Sequence, residues 1–216
     1  MGASATADRK TGPVRTDATR NRERIIAAAR EAFVEHGPNV PLDAIAHRAG
    51  VGNATLYRHF SDRHELVHVV ASYSMARITE QAEAALAEEP DPFQALRRFV
   101  HRAADERVGA LSSLLHEGFD KNDPHVVDAR ERLEATVTRL MDNARRSGQL
   151  RPDIALGDLM VAITQLTRPV AGTACSQVER FMHRHLQLFL DGLHTPARSE
   201  LCGTAVTFED FEADTA

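Results

Sequence analysis

Tryptophan is absent and aromatic residues make up only 5% of the chain, while Ala, Leu, Arg and Glu dominate. Helix formers therefore outweigh the β-branched and aromatic residues that favour strands, which argues for an all-α protein. Cysteine is nearly missing: Cys175 and Cys202 form no Cys-x-x-Cys pair, which excludes a disulfide-stapled secreted domain and a thiolate zinc centre. No run approaches the roughly 18 consecutive apolar residues of a membrane helix. The opening MGASATADRK has no apolar core of a secretory signal, so a cytoplasmic location is expected. Also missing are a Gly-rich phosphate loop, a Gly-x-Ser-x-Gly elbow and a paired-carboxylate motif, so no cofactor, no metal and no catalytic residue is expected.

What is present suits a folded chain: 216 residues, 43% hydrophobic, 26% charged, mean hydropathy −0.33. At roughly 150 residues per domain that is one large domain or two small ones. The net charge of −5 is uneven, because residues 1–65 hold ten Arg and Lys against eight Asp and Glu, and the remainder sixteen against twenty-three. A polyanion would be drawn weakly to the first segment and repelled by the second.

The pattern reads as helix after helix. Residues 1–17 lack apolar periodicity and are expected to be a flexible basic arm carrying Arg9, Lys10 and Arg15. From Ala18 to His36, Ile25, Ile26, Ala29, Ala32 and Phe33 make one helical stripe, which Gly37 and Pro38 stop. Pro41 is a favourable first residue for a short helix in which Leu42, Ile45, Ala46 and Ala49 recur up to Gly50. Asn53 to Phe60 gives a third short helix, with Leu56 and Phe60 inward and Asn53, Thr55, Tyr57 and His59 outward or flanking. Ser61 or Asp62 caps a long fourth helix, supported by Glu65 and closed by Pro90 and Pro92. Beyond it, helices are predicted over about 92–106, 108–119, 124–147, 156–171 (ended or kinked by Pro169) and 175–193, then a flexible acidic tail over 195–216.

Two short helices joined through a glycine turn, with small Ala46 at the close contact, have the makings of a helix-turn-helix. Gly50 tolerates positive φ, and Leu56 packs back onto Ile45 and Phe33, which frees the outer face of the third helix for a major groove. The run LDAIAHRAGVGNATLYRHFSDRHEL, Leu42 to Leu66, resembles without a gap the DNA-binding signature of TetR-like transcriptional regulators, the tetracycline-repressor family. Gly-Gln-Leu-Arg-Pro-Asp at 148–153 resembles a recurrent loop of such regulators. Gly52 stands where the pattern commonly has Ser, a stronger side-chain cap.

The resemblance implies an N-terminal three-helix DNA-binding domain over 18–65 and a C-terminal helical ligand-binding and dimerisation domain over 66–194. It implies a homodimer, joined through helices 156–171 and 175–193, whose recognition helices enter successive major grooves of a pseudo-palindromic double-stranded operator. By motif position, Thr55, Tyr57 and His59 contact phosphates or bases, Asn53 and Ala54 lie nearest the base edges, Arg58 belongs to the same set, and Arg63 reaches the backbone. Chemistry agrees, since a hydroxyl or imidazole donates to a phosphate oxygen and an asparagine amide can read an adenine edge.

In the body, Val178, Phe181, Met182, Leu186, Phe189, Leu190 and Leu193 stripe the last helix, and Leu159, Met160, Ile163 and Leu166 the one before. Such stripes are core material, and near a chain end also material for a two-fold interface. Candidate effector residues are Phe99, Leu115, Phe119 and Met141 as apolar walls and Arg102, His116 and Arg168 as orienting groups, with a packed-core reading beside each wall residue.

His64-Glu65-Leu66-Val67-His68 is a literal H-E-x-x-H, which on a helix offers two imidazoles to zinc. Its extended form fails, because Ala71 replaces Gly and Ser74 replaces His. His183-Arg184-His185 raises metal sensing and Cys175 a redox switch, against the plainer readings of a solvated helix face and an inert small residue. The expectation is a ligand-responsive DNA-binding transcriptional regulator, a repressor released from its operator by an unknown small-molecule effector, with no membrane partner. An enzyme, either a zinc hydrolase or a helical-bundle catalyst, and a DNA-binding module without a ligand are the alternatives.

Overall fold

The computed structural model describes residues 13–115, 119–168 and 175–207. Among them the chain forms α1 (Pro13–His36), α2 (Leu42–Ala49), α3 (Asn53–His59), α4 (Arg63–Glu88), α5 (Pro92–Asp105), α6 (Val108–Leu111), α7 (Pro124–Arg146), α8 (Leu156–Leu166) and α9 (Cys175–Gly192). A 3-10 turn, Ser112–Leu115, follows α6, and an isolated antiparallel bridge joins Leu150 to His194. None of the described helices is long and apolar enough to cross a membrane.

Several boundaries differ from expectation for local reasons. Residues 13–17, expected in the arm, are helical: proline suits a first helical position, and no breaker separates it from Ala18. A single helix over 108–119 gives way to four-residue α6 and the 3-10 turn. Arg107, left-handed at φ 60°, separates α6 from α5. Gly109 lets α6 pass so close to the end of α8 that an added Cβ would stand 2.5 Å from the Thr167 carbonyl carbon. Thr167 accepts the Gly109 N–H at 2.9 Å and donates to the Ile163 carbonyl at 2.8 Å, and α8 ends at Leu166, short of the expected 171. Pro169 lies outside the described residues.

The segment expected to fray from Thr195 is tied down as far as Thr207. Arg151, buried within the 148–153 run, donates to Asp153 at 2.6 and 2.8 Å and to the Ser199 carbonyl at 2.9 Å. The Val206 N–H donates to Asp158 at 3.0 Å, and Gly157 leaves no room for a Cβ beside the Val206 and Thr207 backbone.

Two apolar cores share α4. Ile25, Ala29, Phe33, Ile45, Leu56, Phe60, Leu66 and Val70 form the first, joined by Leu111 and Leu114. Ile78, Ala82 and Ala85, about two to four turns on, belong to the second with Leu96, Phe99, Val137, Leu140, Leu159, Leu186 and Leu190. Movement of α4 therefore strains both cores, since close-packed interiors transmit displacement.

The contact of α5 with α9 holds a titratable pair. His101 Nδ1 and His183 Nδ1 are 2.9 Å apart, and His183 Nε2 lies 3.1 Å from Asp105 Oδ1. One proton fits between the two Nδ1 atoms; two do not. Burial first, then the charge of His183, pushes the His101 imidazolium below the ordinary histidine range, with Arg97 acting in the same direction and Gln187 and Asp105 opposing. The unfolded chain thus binds this proton more readily. Stability is full above the ordinary value of 6.5 and is lost as pH falls through the lowered one. Acidification from about pH 7 to about pH 5.5 is expected to lower Tm more in the wild type than in His101→Gln. Equal losses in thermal melts would remove His101 as the cause.

Candidate nucleic-acid interface

The turn between α2 and α3 depends on one residue. Gly50 is left-handed at φ 64°, and its N–H donates to the Ala46 and His47 carbonyls while Val51 N–H closes on Ala46 at 3.0 Å. A Cβ there would also stand 2.5 Å from the Arg24 guanidinium, which donates to the Gly50 carbonyl at 3.3 Å. The turn sends α3 across α2, Leu56 and Phe60 go into the core, and the opposite face of α3 stays in water.

That face carries the expected residues. Asn53, Ala54, Tyr57 and Arg58 are exposed, and Thr55 and His59 half-buried. Tyr57 keeps 52% of its surface accessible, which a core or packing role does not explain. Arg58 lies back along its own helix, donating to the Ala54 carbonyl at 3.1 Å and to Thr55 Oγ1 at 2.9 Å. Asn53 donates through Nδ2 to Asp43 Oδ1 at 2.9 Å, crossing from α3 to α2.

Arg63 departs from its expected role. Its two terminal nitrogens donate to the Pro38 and Val40 carbonyls at 2.6 and 2.7 Å, so it pins the α1–α2 connection rather than reaching outward. Sequence reasoning missed two other cations. Arg22 lies over the Phe60 ring, 4.6 Å from its centroid, and Arg24 flanks the turn as above. Their spacing in the run ATRNRER was the available signal. Arg48 offers no free charge, being paired with Glu31 and Glu35.

Glu65 and His68 of the H-E-x-x-H run are committed elsewhere. Glu65 accepts from the Ser61 N–H at 2.7 Å and hydroxyl at 2.9 Å, and its own N–H caps onto Asp62. His68 Nε2 accepts the Asp120 N–H at 3.0 Å, with its ring against Phe119. Among the described residues no group of three or more His, Cys, Asp or Glu is set to hold a metal.

The expected effector residues do not converge. Phe99 and Met141 are buried in the second core, where their stripes are used up in packing. Arg102 is exposed beside Asp105 at 3.7 Å, Arg168 is exposed beyond α8, and Phe119 packs on His68. His116 and the Leu115 side chain lie outside the described residues. A hollow of about 480 Å³ between the end of α4, the start of α5 and α7 is lined by Leu86, Pro90, Ala95, Leu140 and Asn143 among others, and by none of the seven.

One buried cluster joins the two cores. Glu106, at the end of α5, receives Arg30 of α1 at 2.7 Å and Arg77 of α4 at 2.6 and 2.9 Å, and Arg30 also donates to the Glu106 carbonyl at 2.6 Å. The hydrogen bonds from Arg77, and then the charges of Arg30 and Arg77, hold its carboxyl below the usual range against the opposing effect of burial.

A glycine-turned pair of short helices with a solvent-facing polar third helix, carried on a larger helical body, defines a DNA-binding transcriptional regulator. Residues 25–70 match the family described as bacterial regulatory proteins, tetR family, and residues 91–195 match the SbtR-like transcriptional regulator C-terminal domain. A TetR transcriptional regulator of Streptomyces coelicolor superposes with a TM-score of 0.62 at 32% identity, covering 82% of this chain and 99% of that one. One from Mycobacterium vanbaalenii gives 0.57 at 31%, covering 85% and 100%. The HTH-type transcriptional regulator NfxB of Pseudomonas aeruginosa is 28% identical over 187 residues, 82% of this chain and 96% of NfxB. The chain belongs to the TetR family of transcriptional regulators, which are DNA-binding proteins and not enzymes. Its members bind DNA operators as dimers and bind small-molecule ligands.

Proposed function

We propose that this regulator is a repressor that occupies a pseudo-palindromic operator as a homodimer and leaves it when a small molecule binds the helical body. The observation that carries the DNA half is the exposed face of α3, with Tyr57 half in solvent and Asn53 at its first turn. Asn53 and Ala54 read base edges, Thr55, Tyr57 and His59 meet phosphates or bases, and Arg58 joins them once it swings off its helix. Two such heads, one DNA turn or roughly 34 Å apart, fit successive major grooves.

The effector half draws support from relatives. LfrR of Mycobacterium smegmatis, in complex with proflavine, and a γ-butyrolactone receptor share this fold, with TM-scores of 0.58 and 0.56. In this chain α4 spans both cores and the Glu106 cluster ties α1 to α4 and α5, so a ligand that prefers one setting of α4 shifts the heads. It lowers DNA affinity only by its differential affinity for the two settings, typically about 1–3 kcal/mol.

The test is fluorescence anisotropy on DNA from upstream of the chain's own gene, across a salt series, with scrambled duplex as control. Tight, salt-sensitive, selective binding is expected, and Tyr57→Ala weakens it about tenfold on all sequences alike, as loss of a phosphate contact does. Failure of the ligand-stripped protein on a random-sequence library would remove the DNA-binding role of α3. Small molecules that raise Tm and lower operator affinity together identify the effector.

A further inference from the structure

Asp43 is a carboxylate on the side of the protein that the proposed function turns toward a polyanion, and electrostatics alone disfavour it there. It is exposed in the first turn of α2, where a negative charge favours the helix dipole, but that role needs no partner on α3. Its Oδ1 nevertheless accepts a hydrogen bond from Asn53 Nδ2 at 2.9 Å, across the helix-turn-helix and ten residues along the chain.

We propose that Asp43 is a specificity-determining residue that fixes the orientation of the Asn53 amide, so that Asn53 reads adenine. This rests on the assignment of Asn53 to the base edges. An asparagine amide has two chemically opposite ends, and a free one can turn either end to a base. A carboxylate only accepts, so the end of Asn53 that meets Asp43 must be the NH2. Turning the amide over would set carbonyl oxygen against carboxylate oxygen, a contact of like partial charges with no proton between them.

With one N–H held by Asp43, Asn53 retains its other N–H and both lone pairs of Oδ1. Those are the groups that an adenine complements in the major groove through its N7 acceptor and N6 amino donor. The arrangement also explains why the negative charge is tolerated: it reduces attraction to every sequence equally, and in exchange one position of the operator is read in one sense.

The test is binding selection on an operator library, using the full-length dimer as wild type, Asp43→Asn, Asp43→Ala and Asn53→Ala, with thermal melts to verify the fold. Asp43→Asn keeps the shape but offers either a donor or an acceptor, so it loses the orientation without leaving a gap. Both Asp43 variants are expected to reduce the preference for adenine about tenfold at the one position where Asn53→Ala also removes it, and to leave the other positions unchanged. Both are also expected to bind scrambled duplex more tightly, through loss of one negative charge. An Asn53→Ala effect with full adenine preference kept in both Asp43 variants would overturn the orienting role alone. No change in Asn53→Ala would overturn the base-edge assignment and the orienting role with it. A loss of selectivity spread over all positions would reduce Asp43 to a general support of the turn.

Discussion

Glu106→Ala is expected to cost about 3 kcal/mol of unfolding free energy, at the low end of what breaking a buried ion pair costs. Glu106 is 9% exposed and answers two guanidiniums, so its removal strands charge on both. Arg30 suffers more. Its side chain is 17% exposed, its Nε already lacks a partner, and only the bond to the Glu106 backbone carbonyl survives. Arg77, 39% exposed, recovers water, which sets the loss at the low end. Glu106→Gln keeps the shape without the charge and is expected to fall between. Urea unfolding at neutral pH measures all three.

The pH dependence provides a second check. The lowered carboxyl of Glu106 contributes stability that is full above the ordinary glutamate value of 4.5 and is lost as pH falls through the lowered one, so wild type and Glu106→Ala converge in acid. A constant gap between them at every pH would show that Glu106 acts through packing and not through charge.

This cluster also marks where sequence reading stops. The helix-turn-helix was legible because its causes are local: Gly37 and Gly50 both take positive φ within the same short stretch that supplies Phe33, Ile45 and Leu56 to one core. Glu106 meets Arg30 76 residues away and Arg77 29 away, and nothing in the neighbourhood of any of the three announces the other two. The anchoring of Arg63 was illegible for the same reason, since its partners are carbonyls 23 and 25 residues upstream. Phe99 and Met141 show a different limit. An apolar stripe reads the same whether it lines a cavity or fills a core, and here it fills one.

The last helix shows both limits at once and carries the largest functional prediction. Of the stripe read as a dimer face, Met182, Leu186, Leu190 and Leu193 are buried in the protomer's own core. Among the described side chains of α9, the large apolar ones left in water are Phe181, 52% exposed, and Leu188, 60% exposed, seven residues or about two turns apart and so on one face. Leu188 lies at the edge of the periodic stripe, beside Phe181, and the pattern did not mark it. The homodimer proposed above is expected to place its two-fold contact on this face, and in an isologous interface each substitution counts twice. Leu188→Asp then puts two carboxylates into one desolvated patch while leaving the protomer core untouched. Sedimentation is expected to show monomer. Operator affinity is expected to fall about 10²- to 10⁴-fold, because the second head loses the effective concentration that the first provides, while Tm changes little beyond the loss of the dimer itself. A Leu188→Asp chain that remains dimeric would move the interface off this face of α9. A monomer that still holds its operator tightly would mean that one head suffices, and the spacing argument for two recognition helices would fall with it.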